Sequence, residues 1–235
     1  MYYYGYGMDP TYVLVLIGVV ICLLASAKMK STFNKYSRVR NHSGMTGREA
    51  AEMILKNAGI YDVRVEHISG NLTDHYDPKT KVVRLSDATY SSNSVAAMGV
   101  AAHECGHAIQ HATAYAPLTI RGALVPVANF GSQIAWPLII IGLILNGNSS
   151  ILLLNIGILA FSLSVLFQIV TLPVEFNASH RAVKILDSTH MLDAGEVKAT
   201  RKVLTAAALT YVAGAASAIL QLLRILLLTQ NRRRD

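Results

Sequence analysis

The stretch AAHECGHAIQH, residues 101–111, combines residue types and spacing that could bind a metal. An α-helix turns about 100° per residue, so His103 and His107 differ by about 40° and project from one face, a turn apart. One metal ion can therefore bind both imidazoles. Glu104 lies about 100° round the helix from His103, close enough to reach a water on the metal without becoming a ligand.

This combination fits the hydrolysis of a peptide bond. Zinc lowers the pKa of a water towards about 7 and polarises a carbonyl. A carboxylate at Glu104 can then take the proton of that water as a general base. Because the His-Glu-x-x-His pattern fixes only three of its five positions, it recurs by chance. The pattern alone therefore favours a zinc site only modestly over a helix that is rich in histidine.

The third metal ligand must come from elsewhere in the chain. His111 stands about 12 Å along the helix axis from His103, too far to share an ion with zinc–nitrogen bonds of about 2.1 Å. Cys105 faces the opposite side of the helix and is expected to be a small buried residue. Of the downstream candidates Glu175 is preferred, with a first-turn acid that stabilises the helix dipole as the alternative. The candidates are Glu175, His180, Asp187, His190, Asp193 and Glu196.

Local signals predict the elements that carry these residues. Thr46 and Glu49 form a capping box, and Gly59 is a usual C-terminal stop, so a helix is predicted over 47–58. Alternating Val-rich runs at 61–68 and 81–86 predict a small sheet, joined through the turn formers of 69–80. A helix is predicted from a cap at Asn93 or Ser94 to near Pro117.

The composition indicates a membrane protein. The chain is 52% hydrophobic and only 15% charged, more apolar than soluble domains usually are. Four apolar stretches come near the roughly 20 residues that cross a bilayer. They are Tyr12 to Ala27, Ala123 to Leu145, Ile151 to Leu172 and Val203 to Leu228.

The positions of the basic residues predict the orientation. Of 21 Lys and Arg residues, 17 lie in 28–121 and 173–202, which an alternating four-span path places on one side, the cytoplasmic one. The first span has its basic residues after it, the reverse of a cleavable signal, so it is predicted to be an anchor. The net charge of +7 therefore reflects membrane orientation, and no nucleic-acid partner is expected. The two cysteines, Cys22 and Cys105, imply no disulfide.

Six stretches of the chain, which lie along nearly all of it, resemble the YugP-type membrane zinc metallopeptidases of bacteria, a group distantly similar to HtpX-like glutamate zincins. They are TGREAAEMIL, LTDHYDP, VRLS, SVAAMGVAAHECGHAIQH, YAPLTIRGALVPVAN and LPVEFNASHRA. The resemblance implies a neutral zinc peptidase with four spans. It also implies that His103, His107 and Glu175 bind Zn²⁺ and that Glu104 is the catalytic base.

Two further roles remain open at this stage. The wider group often carries an acidic residue four positions after the third ligand, where it orients a histidine. Ser179 holds that position here, and Asp74 or Asp77 is the candidate substitute. The LTDHYDP segment is either a turn at Asp77-Pro78 or a border of the cleft that lends His75 or Tyr76 to the oxyanion.

The predicted protein is a mainly α integral membrane protein with about four transmembrane helices and a small α+β zincin-like cytoplasmic metallopeptidase domain. In chain order it comprises an extracytoplasmic tail at 1–11, a transmembrane helix at 12–27, the cytoplasmic domain at 28–121, a transmembrane hairpin at 122–172, a cytoplasmic helix with the third ligand at 173–202, a transmembrane helix at 203–229 and a basic tail at 230–235.

The predicted activity is zinc-dependent cleavage of membrane or membrane-adjacent proteins at a bacterial cytoplasmic membrane. Expected partners are the lipid bilayer, protein or peptide substrates and, through a small-residue stripe in the last span, a possible homo-oligomer or membrane complex. One alternative is a membrane scaffold or assembly factor that keeps zinc for folding, against which the intact Glu104 argues. Another is a transporter component, which is disfavoured because the predicted spans carry no charge at mid-membrane.

Overall fold

The computed structural model describes residues 9–232, with six α-helices and a three-stranded sheet among them. The helices are α1 (Tyr12–Tyr36), α2 (Gly47–Asn57), α3 (Val95–Ala112), α4 (Ala116–Ile144), α5 (Asn148–Ser188) and α6 (Ala194–Arg232). The strands are β1 (Arg64–Ile68), β2 (His75–Asp77) and β3 (Val82–Ser86).

Four of these helices, α1, α4, α5 and α6, are long and apolar enough to cross a membrane. The prediction of a mainly helical chain with four apolar spans and a small sheet is confirmed. Residues 1–8 of the predicted N-terminal tail and Arg233 and Arg234 of the basic tail lie outside the described residues. Cys22 and Cys105 are both free, as expected.

Two predicted helix boundaries are wrong. Pro173, expected in the first turn of a new helix, lies inside the continuous 41-residue helix α5. The helix ends instead before residues 189–193, where His190 has a positive φ of 53°. Helix α6 then runs without interruption from Ala194, so the predicted boundary between 202 and 203 is also absent. A proline removes one backbone hydrogen bond from a helix interior, but helix-breaking residues are tolerated where neighbouring groups compensate.

The sheet has one strand more than the sequence indicated. Its order is β1-β3-β2, with β1 parallel and β2 antiparallel to β3. The 69–80 stretch, expected to be a connecting turn, thus contains β2. Asp77 stabilises the turn that follows, because its carboxylate accepts hydrogen bonds from the backbone of Lys79 and the hydroxyl of Thr80. This tight turn connects β2 to β3 as a hairpin.

The predicted caps are confirmed at both helices that frame the histidines. Thr46 and Glu49 form the capping box of α2, and the Ser94 side chain accepts from the Ala97 amide at the start of α3. Helix α3 ends at Ala112, before Pro117, because Ala114 adopts a positive φ of 48°. Buried residues of α2, α3, the sheet and the ends of α5 and α6 share one core, which includes Cys105.

The chain divides into two compact units. One comprises Ala25–Gly122 with Val170–Tyr211, and the other comprises the remaining described residues. The first unit contains the sheet, α2, α3 and every predicted site residue. In the second unit α4 and α5 pack closely, since a Cβ added at Gly131 would lie 2.7 Å from the Ala160 carbonyl oxygen. Such small-residue contacts are typical of helices that associate in membranes.

Candidate metal centre

The two histidines of α3 project together into one site. The rings of His103 and His107 have centroids 4.7 Å apart and stand nearly perpendicular, at 84°. Both side chains are largely buried. The single helical turn between them thus places two imidazoles side by side, as the sequence predicted.

Glu175 of α5 completes a group of three potential ligands. Its Oε2 lies 3.4 Å from His103 Nε2 and 3.5 Å from His107 Nε2. The Glu175 side chain is only 3% exposed. His103, His107 and Glu175 can therefore hold a metal ion, since one ligand atom of each lies within 4.8 Å of the others.

The geometry of this group fits zinc. Four ligands at about 2.0–2.1 Å in a tetrahedron lie about 3.4 Å from one another, which is the separation of Glu175 Oε2 from each imidazole nitrogen. The same oxygen is buried and has no hydrogen-bond partner among residues 9–232. A buried carboxylate oxygen without a donor is costly, and a cation at this place would satisfy it.

The tautomer of His107 is fixed by a chain of donors that begins at Arg181. The guanidinium of Arg181 can only donate, and its Nε donates to Asn177 Oδ1 at 2.7 Å. Gln110 Nε2 donates to the same oxygen at 3.0 Å and to the Val174 carbonyl at 2.8 Å. Gln110 Oε1 therefore faces His107 Nδ1, 3.0 Å away, and accepts its hydrogen. This leaves Nε2, which lies 3.5 Å from Glu175 Oε2, with a lone pair that can bind a metal.

His103 is held by Ser179, which corrects the suggested substitution by Asp74 or Asp77. The Ser179 hydroxyl lies 3.1 Å from His103 Nδ1, at the position where the wider group often carries an acid. Asp74 instead accepts from the amide and hydroxyl of Ser86, and Asp77 caps its own turn. Ser179 lies one helical turn after Glu175, so a single helix supplies both a potential ligand and the partner of His103.

Arg121, which the sequence did not single out, contacts the other oxygen of Glu175. Its Nη1 lies 3.5 Å from Glu175 Oε1. One carboxylate oxygen therefore faces the imidazoles and the other faces a fixed positive charge. Gln110 carried a weak sequence signal, since it lies one turn after His107. Arg121 carried none, because it lies 54 positions from Glu175 in the sequence.

Glu104 lies beside this group and lines the same cavity. The cavity has a volume of about 130 Å³ and is bordered by His103, Glu104 and Glu175, with Ser179 and Tyr211 also in its wall. The Glu104 residue is 8% exposed. Two imidazoles and one carboxylate thus group together, while the carboxylate-bearing Glu104 borders the same cavity from α3.

The electrostatics of the site favour a cation. Burial opposes the protonated form of His107, yet the carboxylates of Glu175 and Glu104 outweigh burial and raise the pKa of its imidazole. The negative potential that favours a proton there also favours a divalent metal. Burial raises the pKa of the Cys105 thiol, and its Sγ contacts the Ala51 carbonyl. Cys105 is thus a neutral core residue, as predicted.

The two residues suggested for the oxyanion have other partners. The His75 ring lies 2.8 Å from the Thr73 carbonyl oxygen, and the Tyr76 hydroxyl lies 2.8 Å from His111 Nδ1. Neither residue is among those that line the cavity. The preceding residues Leu72 and Asp74 do line it, so this segment borders the site. Oxyanion stabilisation by His75 or Tyr76 stays a prediction.

The remaining candidates for a third ligand lie elsewhere. His180 and Asp187 line a neighbouring groove. Asp193 and Glu196 form a second potential metal group with His42, but hydrogen bonds already satisfy it. Asp193 Oδ1 accepts from the Glu196 amide, and Glu196 Oε2 accepts from the Asp193 amide, which is a capping box at the start of α6.

A close approach of α3 and α5 brings Glu175 to the histidines. A Cβ at Gly106 would lie 2.7 Å from the carbonyl oxygen of Ala178, closer than real Cβ atoms come. Gly106 sits inside the His-Glu-x-x-His pattern, one residue before His107. The glycine therefore permits the helix contact that assembles the site.

Comparison with known proteins agrees with this geometry. Residues 11–230 match the family described as "Putative neutral zinc metallopeptidase". The chain is also 47% identical over 220 residues to the Bacillus subtilis (strain 168) protein named "Putative membrane protease YugP", covering 94% of this chain and 96% of that protein. No solved structure matches the chain. The extent of both likenesses shows that the chain belongs to this neutral zinc metallopeptidase family.

Proposed function

We propose that this protein is a zinc metalloendopeptidase that cleaves membrane or membrane-adjacent proteins, with Glu104 as the general base. The observation that carries the proposal is the placement of Glu104 in the wall of the cavity that His103 and Glu175 also border. A zinc site that serves only folding is closed by four protein ligands and needs no base. Three grouped ligands beside a separate carboxylate fit catalysis instead.

Each residue has a distinct task in this proposal. His103, His107 and Glu175 would hold zinc, which when bound supplies Lewis acidity and a water of lowered pKa. Glu104 would take a proton from the attacking water as the water oxygen bonds to the carbonyl carbon, and would deliver that proton to the amine nitrogen as the carbon–nitrogen bond breaks.

The zinc affinity of the site depends on residues that touch no metal. Arg121 holds the outer oxygen of Glu175, and Gln110 and Ser179 orient the imidazoles of His107 and His103. Partners of this kind commonly change metal affinity or activity by about 10–100-fold when they are removed. We therefore include these three residues in the functional site.

The decisive experiment compares the wild type with Glu104→Gln after purification in detergent. Both proteins are expected to contain equal zinc by elemental analysis, because Glu104 is no ligand in this proposal. The wild type is expected to cleave casein or itself, and the variant is expected to lose that cleavage. Equal zinc with no cleavage by either protein across several substrates would favour a scaffold that keeps zinc for folding.

The active site is proposed to face the cytoplasm of a bacterial cytoplasmic membrane. The distribution of 17 of 21 basic residues into 28–121 and 173–202 supports this orientation. A single cysteine introduced as Lys79→Cys, in a variant without Cys22 and Cys105, tests it. A membrane-impermeant maleimide should label that cysteine in intact cells only after permeabilisation. Labelling in unpermeabilised cells would show that this segment, and with it the site, faces the outside.

A further inference from the structure

A groove adjoins the metal cavity on the side of α5 and α6. It has a volume of about 440 Å³, and Ser179, Leu204 and Ala208 line both the groove and the cavity of the metal centre. The two spaces are therefore neighbours across a shared wall. A peptide whose scissile bond lies at the metal centre can continue along this groove.

One helical face from each helix builds the groove. The lining residues of α5 are three or four positions apart, and so are those of α6. They therefore lie on a single face of each helix. Its buried, apolar part consists of Val183, Leu204 and Ala208, all less than 10% exposed. An extended peptide backbone with small or apolar side chains would fit against this surface.

The rim of the groove carries two cations on opposite helices. Lys184 belongs to α5 and Arg201 to α6, and both are exposed and line the groove. Neither makes an ion pair with any residue between 9 and 232 that the structure records. Among the described residues Asp187 is the one acid that lines the groove, so the two cations give the groove a net positive charge.

We propose that this groove binds the substrate peptide and that Lys184 and Arg201 select an acidic residue about four positions from the scissile bond. The position follows from helix and strand geometry. Lys184 lies nine residues after Glu175, which is about 13.5 Å along the helix axis. An extended peptide advances about 3.3 Å per residue, so that distance corresponds to about four substrate residues. This inference rests on the proposed peptidase function and adds a substrate class to it.

Binding to a full-length Glu104→Gln protein tests the groove without requiring cleavage. The probes are fluorescent peptides whose cleavage site has been mapped with the wild type. Each carries either glutamate or glutamine four residues before or four residues after that site. If the wild type cuts no peptide, a single glutamate is moved along the peptide one position at a time. The glutamate peptide is expected to bind about fivefold more tightly on one side only, the size of effect that an exposed ion pair provides. Equal binding of the two peptides at every position would overturn the proposal.

Charge reversal provides the matched comparison. The double variant Lys184→Glu, Arg201→Glu is expected to lose the preference for glutamate and to favour a lysine peptide. The control Lys79→Glu, Lys202→Glu changes the net charge equally at exposed residues that do not line the groove, and it should keep the glutamate preference. A preference that survives the first variant, or disappears in the control, would show that the charge is read elsewhere.

Three further outcomes separate this proposal from lipid binding and from the peptidase function on which it rests. If the groove variant changed binding to phosphatidylglycerol vesicles but not to peptides, the groove would bind lipid headgroups and the proposal would be overturned. If the glutamate preference followed the groove cations but the wild type cleaved no peptide, the groove assignment would stand while the peptidase function failed. If the wild type cleaved peptides without a preference for glutamate, the peptidase function would stand and the groove assignment would fail.

Discussion

Replacing Gln110 with leucine tests how the protein prepares His107 for metal. Gln110 is fully buried and connects α3 to α5, because its Oε1 faces His107 Nδ1 while its Nε2 donates to the carbonyl of Val174. Val174 immediately precedes Glu175. The substitution therefore removes both the group that fixes the tautomer of His107 and an attachment next to Glu175, which are two of the three proposed ligands.

The expected size of the effect follows from these contacts. Loss of the partner of a metal-bound histidine commonly lowers metal affinity by about 10–100-fold, which corresponds to about 1.4–2.7 kcal/mol. The substitution also leaves the Nδ1 hydrogen of the buried His107 without its acceptor, and a buried unsatisfied group costs about 1–3 kcal/mol of folding stability. We expect both losses in Gln110→Leu.

The assay measures zinc affinity by competition with a chromophoric chelator, and stability by thermal unfolding of the same detergent-purified sample. Asn41→Leu is the matched control, because Asn41 is also buried and donates to two carbonyls, those of Met45 and Asn93. It should lose comparable stability and keep wild-type zinc affinity. Asn177→Leu, which removes only the outer acceptor, should weaken zinc binding less than Gln110→Leu does.

Two results would refute this reasoning. If Gln110→Leu bound zinc as tightly as the wild type while losing stability like Asn41→Leu, Gln110 would serve packing alone. If all three variants lost zinc affinity in proportion to their loss of stability, the metal site would report only on general folding. Either result would remove the argument that the donors beginning at Arg181 set the tautomer of His107.

Other predictions follow from single contacts. Gly106→Ala should lower both zinc content and the unfolding temperature, because the added Cβ would meet the Ala178 carbonyl; unchanged zinc content by elemental analysis would contradict this. Chelation should lower the unfolding temperature, and added zinc should restore it; an unfolding temperature indifferent to zinc would exclude a site specific to the folded state. The Thr80 hydroxyl and the Lys79 amide lower the pKa of Asp77 in the folded protein. The ionised Asp77 therefore stabilises the fold above its unfolded pKa of about 3.9, and this contribution is lost as the pH falls through the lower folded pKa. The difference in unfolding temperature between wild type and Asp77→Asn should therefore become smaller as the pH is lowered below about 3.9. A difference that does not change with pH would show that the ionised Asp77 does not stabilise this turn.

Local patterns predicted the part of the site that lies within one helix. The spacing of His103 and His107 decides their common face, and the Ser94 cap decides where α3 begins, so both were legible. Glu175 was preferred from its position and strengthened by resemblance to a family. Its actual approach depends on the contact of Gly106 with Ala178, which joins residues 72 positions apart.

The features that sequence reasoning missed are tertiary or lie at changes of environment. The partners of the two imidazoles, Ser179 and Gln110, act across α3 and α5 or depend on the orientation of a single amide. The boundary expected at Pro173 was wrong because α5 continues through that residue. An amphipathic stretch that follows an apolar one has no local signal that requires a break between them. Likewise β2 is only three residues long, too short for alternation to reveal it.

X-ray absorption at the zinc edge of the purified protein tests the central claim most directly. We expect two imidazole nitrogens, oxygen from Glu175 and one oxygen from solvent, with no sulfur. We also expect a changed spectrum and lower zinc occupancy in Glu175→Ala. A sulfur ligand, a site closed by four protein ligands, or a Glu175→Ala spectrum identical to that of the wild type would contradict it.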